Sequence, residues 1–244
     1  MVNLLYTELL KLKRAKMLIV SMFGAAAAPI MVFIGFLDMK AKKPDTPIHI
    51  EEVFYNTNLY ILLLIGTLLY GVITAYLFNR EHEEDTLKNL LTIPVSRIGI
   101  ITSKLVLLFF WIMALTITAW LLTLGLALIG QFEGIRIPIL LQTFKQFIIG
   151  GSLLFLLSTP TMFICFVFKN YVPSIIFTAV ITMGNVALAN REYKALNPWS
   201  AVQVIANHDV VPQYPLYYSY AVILLTAVIG FIATVVYFKK TDIH

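Results

Sequence analysis

Residues 58–97 read NLYILLLIGTLLYGVITAYLFNREHEEDTLKNLLTIPVSR. The first half, 58–78, carries no charged side chain. A helix crossing the hydrocarbon core of a bilayer needs about 20 mostly apolar residues, and no unpaired backbone is tolerated there, so 58–78 reads as a spanning helix. The second half reverses the chemistry. Glu81, Glu83, Glu84 and Asp85 crowd together, with Arg80, Lys88 and Arg97 around them. A membrane helix that ends on a charged surface segment fixes the class of the fold, and the rest of the chain repeats the pattern.

Five further apolar runs, at about 17–37, 103–130, 146–168, 173–189 and 216–238, bring the expected spans to six. The chain is 59% hydrophobic and only 13% charged, against about a quarter charged in soluble domains. Its mean hydropathy is +0.85. The reading is an all-α polytopic membrane protein, one transmembrane domain over 1–244. The solitary Cys165 excludes an intrachain disulfide. The N-terminal stretch has no small-residue cleavage site and is expected to be retained.

The net charge of +5 does not form a patch, because Lys and Arg stand at the ends of apolar runs. They read as orienting charge, and no nucleic-acid partner is expected. Eleven of them fall on the side holding both termini and 79–104, and seven on the other, which predicts cytoplasmic termini. The third span is longer than the hydrocarbon core requires. Pro160 interrupts the fourth, where the hydroxyls of Ser158 and Thr159 could satisfy the carbonyl that proline frees. Gly24 and Ala28, four apart in the first, would let another helix approach closely.

Two other non-spanning pieces are expected to be ordered. In 2–15, Leu4, Leu5, Leu9 and Leu12 fall toward one side of a helix and Glu8, Lys11 and Arg14 toward the other, predicting a helix in the cytoplasmic interface of the lipid bilayer. Residues 190–215, too polar to span, read as a short helix-turn element at the outer face.

No glycine precedes Lys-Ser or Lys-Thr, so the chain has no phosphate-binding loop of its own. His82 lacks a second histidine at metal-binding spacing, and no bound metal is expected. His208–Asp209 reads as a solvated loop pair, and no Ser, His and acid suggest a nucleophile. The spans are almost free of ionisable residues inside their ends, unlike those of carriers driven by protons or sodium. Energy for any transport must then arrive from outside the membrane.

The charged segment 81–93 has the marks of a short amphipathic helix. Acids fill its first turn, where the helix dipole favours them. Glu84 and Lys88 are spaced for a surface pair. Leu87, Leu90 and Leu91 share a face, and Ile93-Pro94 ends the helix. By pattern alone this is a surface helix, and an interfacial loop remains the simpler alternative.

The run R80-E81-x-E-x-D-T-L-x-x-L-L-T-x-P-V-S-R97 resembles the loop between the second and third spans of ABC-2-type transporter permeases, nearest to those of bacitracin-resistance and lantibiotic-immunity systems. ELLKLKRAKM, 8–17, is similar to the amphipathic elbow helix that opens that family. The resemblance implies a coupling helix that docks on a separate ATP-binding subunit, with Glu81, Glu83, Glu84, Thr86, Leu87 and Leu90 facing it. Pro94, Val95, Ser96 and Arg97 would form the return into span three. It further implies ATP and Mg on the partner and no cofactor on this chain. A second permease copy or sibling, a bacterial plasma membrane and an amphipathic peptide substrate complete the implied picture. Tyr55, Tyr60, Trp199, Tyr214, Tyr217 and Tyr218 near the outer ends could contact substrate or form an interfacial aromatic belt; no substrate-binding residue is assigned. Export of another substrate (a lipid, a glycan precursor or sodium), a non-transporting immunity or scaffold protein, and an intramembrane enzyme are the alternatives.

Overall fold

The structure is a computed structural model that describes residues 2–13, 15–44, 46–83 and 97–240. Helix α1 spans Val2–Lys13 and α2 Met17–Lys42. Helix α3, Ile50–Tyr60, runs through a π-helical turn, Ile61–Ile65, into α4, Gly66–Glu83. Then follow α5 (Arg97–Ile129), α6 (Ile137–Leu156), α7 (Ser158–Phe168) and α8 (Tyr171–Leu188). A 3-10 turn, Glu192–Ala195, leads to α9 (Pro198–Ala206) and α10 (Leu216–Lys240). Among the described residues the only β contact is an isolated bridge between His49 and Glu133. Among the described residues, six helical stretches are long and apolar enough to cross a membrane: Met17–Lys42, Ile50–Glu81, Ile98–Ile129, Ile137–Phe168, Tyr171–Leu188 and Leu216–Lys240.

The second stretch starts well before the apolar run, and the reason is periodic. Ile50, Val53, Phe54 and Thr57 are buried, a helical stripe, while Glu51 and Glu52 in the first turn face out. Phe54 meets Trp120 at 5.7 Å and Phe147 at 6.0 Å between ring centroids. This stretch is the most buried of the six, whereas the first, fifth and sixth keep most of their apolar surface outward, as lipid-facing helices do. Gly24 packs inside the chain: a Cβ there would lie 2.8 Å from Leu69 Cδ1.

Two helical irregularities have local causes. At the π-helical turn, a Cβ on residue 66 would sit 2.6 Å from the Ile61 carbonyl oxygen, so glycine is required. Thr67 Oγ1 donates to the Leu62 carbonyl at 2.7 Å. At Pro160 the fourth stretch breaks between α6 and α7. There Ser158 Oγ donates to Phe155 O (2.6 Å), and Thr159 Oγ1 lies 3.1 Å from Leu156 O and 2.8 Å from Ala227 O. Leu156 is the carbonyl that Pro160 frees.

The bundle has two ends. One carries α1, the end of α4, the start of α5 and the link between α7 and α8. At the other, Ile50 N–H donates to Glu133 O (2.8 Å), Glu133 N–H to Ile48 O (2.9 Å) and Lys40 Nζ to Gly130 O (3.0 Å). The nine-residue α9 lies buried at that second end, packed on α10 and α6.

Candidate functional site

Helices α4 and α5 deliver the two ends of the charged segment. Glu81 and Glu83 lie in the last turn of α4, and Arg97 opens α5. Glu84, Thr86, Leu87, Leu90, Pro94, Val95 and Ser96, with most of the expected coupling helix, lie outside the described residues. Glu83 is exposed; Glu81 is buried and turned into the bundle.

Glu81 is the centre of a four-charge knot. Its Oε2 pairs with Lys104 Nζ from α5, and its Oε1 accepts from Lys11 Nζ of α1 at 3.3 Å. Lys11 also donates to Glu8 Oε1 at 2.7 Å, and Lys104 stands 3.8 Å from Glu8 Oε2. Lys104 further donates to the Leu77 carbonyl at 2.6 Å, and its ammonium lies 5.9 Å from the centre of the Phe78 ring. Two cations face two anions, so the knot is neutral. Burial of such charges is tolerated only when each is paired.

The knot mixes the two faces expected of the first helix. Leu5, Glu8 and Leu12, spaced as one helical face, turn toward the bundle, while Tyr6, Leu9 and Leu10 are exposed. The polar residues face inward because their partners stand on α4 and α5. Burial tends to lower the Lys11 pKa, but the hydrogen bond and charge of Glu8, aided by Glu81, outweigh it and hold the ammonium above its ordinary value. A raised lysine pKa stabilises the folded state fully at neutral pH, and that contribution is lost only in strongly alkaline solution.

From the knot, contacts run to the rest of this end. Phe78 packs edge-on against Phe166 (5.8 Å), which meets Phe238 of α10 at 4.8 Å. Asn79 Nδ2 donates to Asn170 O at 3.1 Å in the α7–α8 link, where Asn170 caps α8 by accepting from Val172 N–H. The end of α4 is thus fastened to four other helices within two turns of the charged segment. Sequence reasoning singled out Glu81 but missed Lys104, Glu8 and Lys11 as its partners. A lone lysine at the head of an apolar helix was the available signal.

The other end is built from amides. Asn58 Nδ2 donates to Asn207 Oδ1 (2.6 Å), Ser200 Oγ to Asn185 Oδ1 (3.0 Å), and Asn185 Nδ2 to Leu63 O (3.4 Å). Lys194 pairs with Asp209, and Gln203 Nε2 donates to the same carboxylate oxygen at 3.2 Å. Of the six expected aromatics, Tyr55 and Tyr60 border this network. Trp199 packs on Phe177 (6.0 Å), and Tyr214, Tyr218 and Tyr217 form a separate file. No group of three His, Cys, Asp or Glu residues among those described could hold a metal ion.

Two comparisons with known proteins find relatives of this chain. A family model described as an ABC-2 family transporter protein matches residues 4–185. The bacitracin transport permease protein BCRB of Bacillus licheniformis is 60% identical over 205 residues, which cover 84% of this chain and 99% of that protein.

Proposed function

The chain belongs to the ABC-2 family of transporter proteins, and we propose that its cargo is bacitracin or a related membrane-active peptide, exported at the expense of ATP hydrolysed on a separate subunit. The observation that carries the cargo is the 60% identity to a bacitracin transport permease along 99% of that protein's length. The family carries the division of labour: the chain is a multi-pass permease subunit, and a partner binds ATP and Mg. A second permease copy or a sibling completes the path. Both termini and the charged segment face the cytoplasm of a bacterial cell.

In this reading 84–96 is the surface that meets the ATPase. Glu83, Glu84, Thr86, Leu87 and Leu90 meet the partner, and Pro94, Val95, Ser96 and Arg97 return the chain to α5. Glu81 acts one step behind. Paired with Lys104 and Lys11, it makes the end of α4, the start of α5 and the first helix move as one piece. A push on 84–96 is thereby delivered to several helices instead of bending a loop.

The test is resistance. Co-expressed with its ATP-binding partner in a sensitive bacterium, the permease should raise the bacitracin concentration needed to stop growth. An ATPase variant that cannot hydrolyse ATP should remove that protection. Protection that persists without ATP hydrolysis would instead support a binding or immunity role.

A further inference from the structure

The amide-rich end of the bundle holds a chamber that the export reading leaves unused. It has a volume of about 340 Å³, and Tyr55, Leu59, Leu64 and Val186 supply its apolar walls. Its polar side is Gln203 and Asn190 with the Lys194–Asp209 pair. Gln203 is almost fully buried, and its Oε1 has no hydrogen-bond partner among the described residues. Buried acceptors are nearly always satisfied, and an orphan on a residue that lines a cavity marks a donor that the chain itself does not supply.

Two features of the backbone hold this wall in place. The π-helical turn of Ile61–Ile65 contributes Leu63 and Leu64 to the lining, and such turns are enriched at functional sites. His208 holds a left-handed φ of 55° immediately before Asp209, a conformation that a non-glycine residue adopts at some cost. Lys194 and Asp209 also line a second cleft, of about 480 Å³, bounded by Glu192 and Gln213. The ion pair, with Ala189 and Asn190, is therefore the wall that the outer cleft and the inner chamber share.

We propose that the inner chamber is a subsite for a segment of the exported peptide: an aliphatic or aromatic side chain enters between Tyr55 and Val186, and a neighbouring N–H donates to Gln203 Oε1. The chemistry selects a donor. Among the polar groups of the lining, Gln203 Oε1 is the acceptor left without a partner, beside Asn190 and the Lys194–Asp209 pair. The volume lies at the low end of small-molecule pockets, so the chamber takes part of a peptide and leaves the rest on the outer cleft. Export of a peptide is the premise, and the test separates its failure from that of the subsite.

The experiment uses the full chain with its ATPase partner, in nanodiscs of phosphatidylglycerol alone, titrated with bacitracin in a calorimeter. Gln203→Leu keeps the bulk and removes the acceptor, and should weaken binding about tenfold. Val186→Trp fills the chamber from a half-exposed position and should weaken binding at least as much. Val180→Trp, exposed on the same helix but outside the lining, should bind as wild type. Should Gln203→Leu fail to fold, Val186→Trp decides. Wild-type affinity in Val186→Trp overturns the subsite and leaves the export reading standing, provided that wild type binds and protects cells. A wild-type complex that binds no bacitracin overturns both as stated. If added phosphatidylethanolamine displaces the peptide from wild type but not from Val186→Trp, the donor is a lipid amine and the peptide assignment falls.

Discussion

The two ends of the bundle solve the same problem in opposite ways. Near α1, four charged side chains are taken out of water, and each finds its counter-charge within the knot. Near α9, the buried groups are mostly neutral amides, and three of their atoms, Asn58 Oδ1, Asn207 Nδ2 and Gln203 Oε1, have no partner among the described residues. Unpaired charge would be ruinous where unpaired amide is merely unfavourable. At the charged end every charge is paired and one amide oxygen, Asn79 Oδ1, is left over, so that end behaves as a clamp. The amide end keeps spare hydrogen-bonding capacity beside a cavity and behaves as a receptor. A transporter needs both: a stiff end to take a push, and a receptive end to meet cargo.

The largest expected effect lies at the charged end. Replacing Leu87 and Leu90 together with Asp puts two charges on the segment proposed to meet the ATPase. Bacitracin protection should vanish, while membrane content of the permease, read by quantitative blotting, stays at the wild-type level. Unaltered protection would remove 84–96 from the coupling path.

Lys104→Met strikes the clamp itself. It leaves Glu81 buried with only Lys11 to share between two acids, and removing one partner of a buried pair costs about 3–5 kcal/mol. Thermal unfolding in detergent should shift down accordingly. Glu81→Leu combined with Lys104→Met should recover most of that stability, since Lys11 and Glu8 remain a neutral pair 2.7 Å apart. Protection should stay low in the double variant, because the stability returns without the link between α1, α4 and α5. Recovery of both would make the knot a scaffold and nothing more.

What could be read from the sequence divides along the same line. The six spans were legible because hydropathy is a local property, and so was the reply of Thr159 to Pro160, which sits next to it in the chain. The role of Glu8 and Lys11 was not. On their own helix they look like a polar face for water and headgroups; what turns them inward is Glu81 and Lys104, far along the chain. The start of the second span was hidden for a related reason. Glu51, Glu52 and Asn56 lower the hydropathy of 50–57, yet they occupy one outward face while Ile50, Val53 and Phe54 pack. The chamber was harder still, since Tyr60, Val186, Gln203 and Asp209 come from four separate segments. Of the expected site, Glu81 was identified as a residue, and its buried partners came only with the fold.

The smallest effect expected here tests whether the receptive end depends on its backbone irregularity. A methyl group at position 66 would meet the Ile61 carbonyl oxygen at 2.6 Å and Ile61 Cγ2 at 2.8 Å. The neighbour at the shorter distance is backbone, so rotamer adjustment cannot relieve it, and overpacking of this kind costs about 1–3 kcal/mol. Ordinary α-helical winding through 61–65 would relieve the contact, but it rotates everything on one side of the turn against the other. Leu63 and Leu64 would leave the chamber wall, and the Leu63 carbonyl would leave Asn185. Gly66→Ala should therefore lose more bacitracin affinity than its modest fall in unfolding temperature would suggest. The Glu81–Lys104 pair, at the other end of α4, should be untouched, so partner ATPase copurification should match wild type. Equal loss of affinity and of copurification would mean that the two ends are not separable, and that the contrast between clamp and receptor fails.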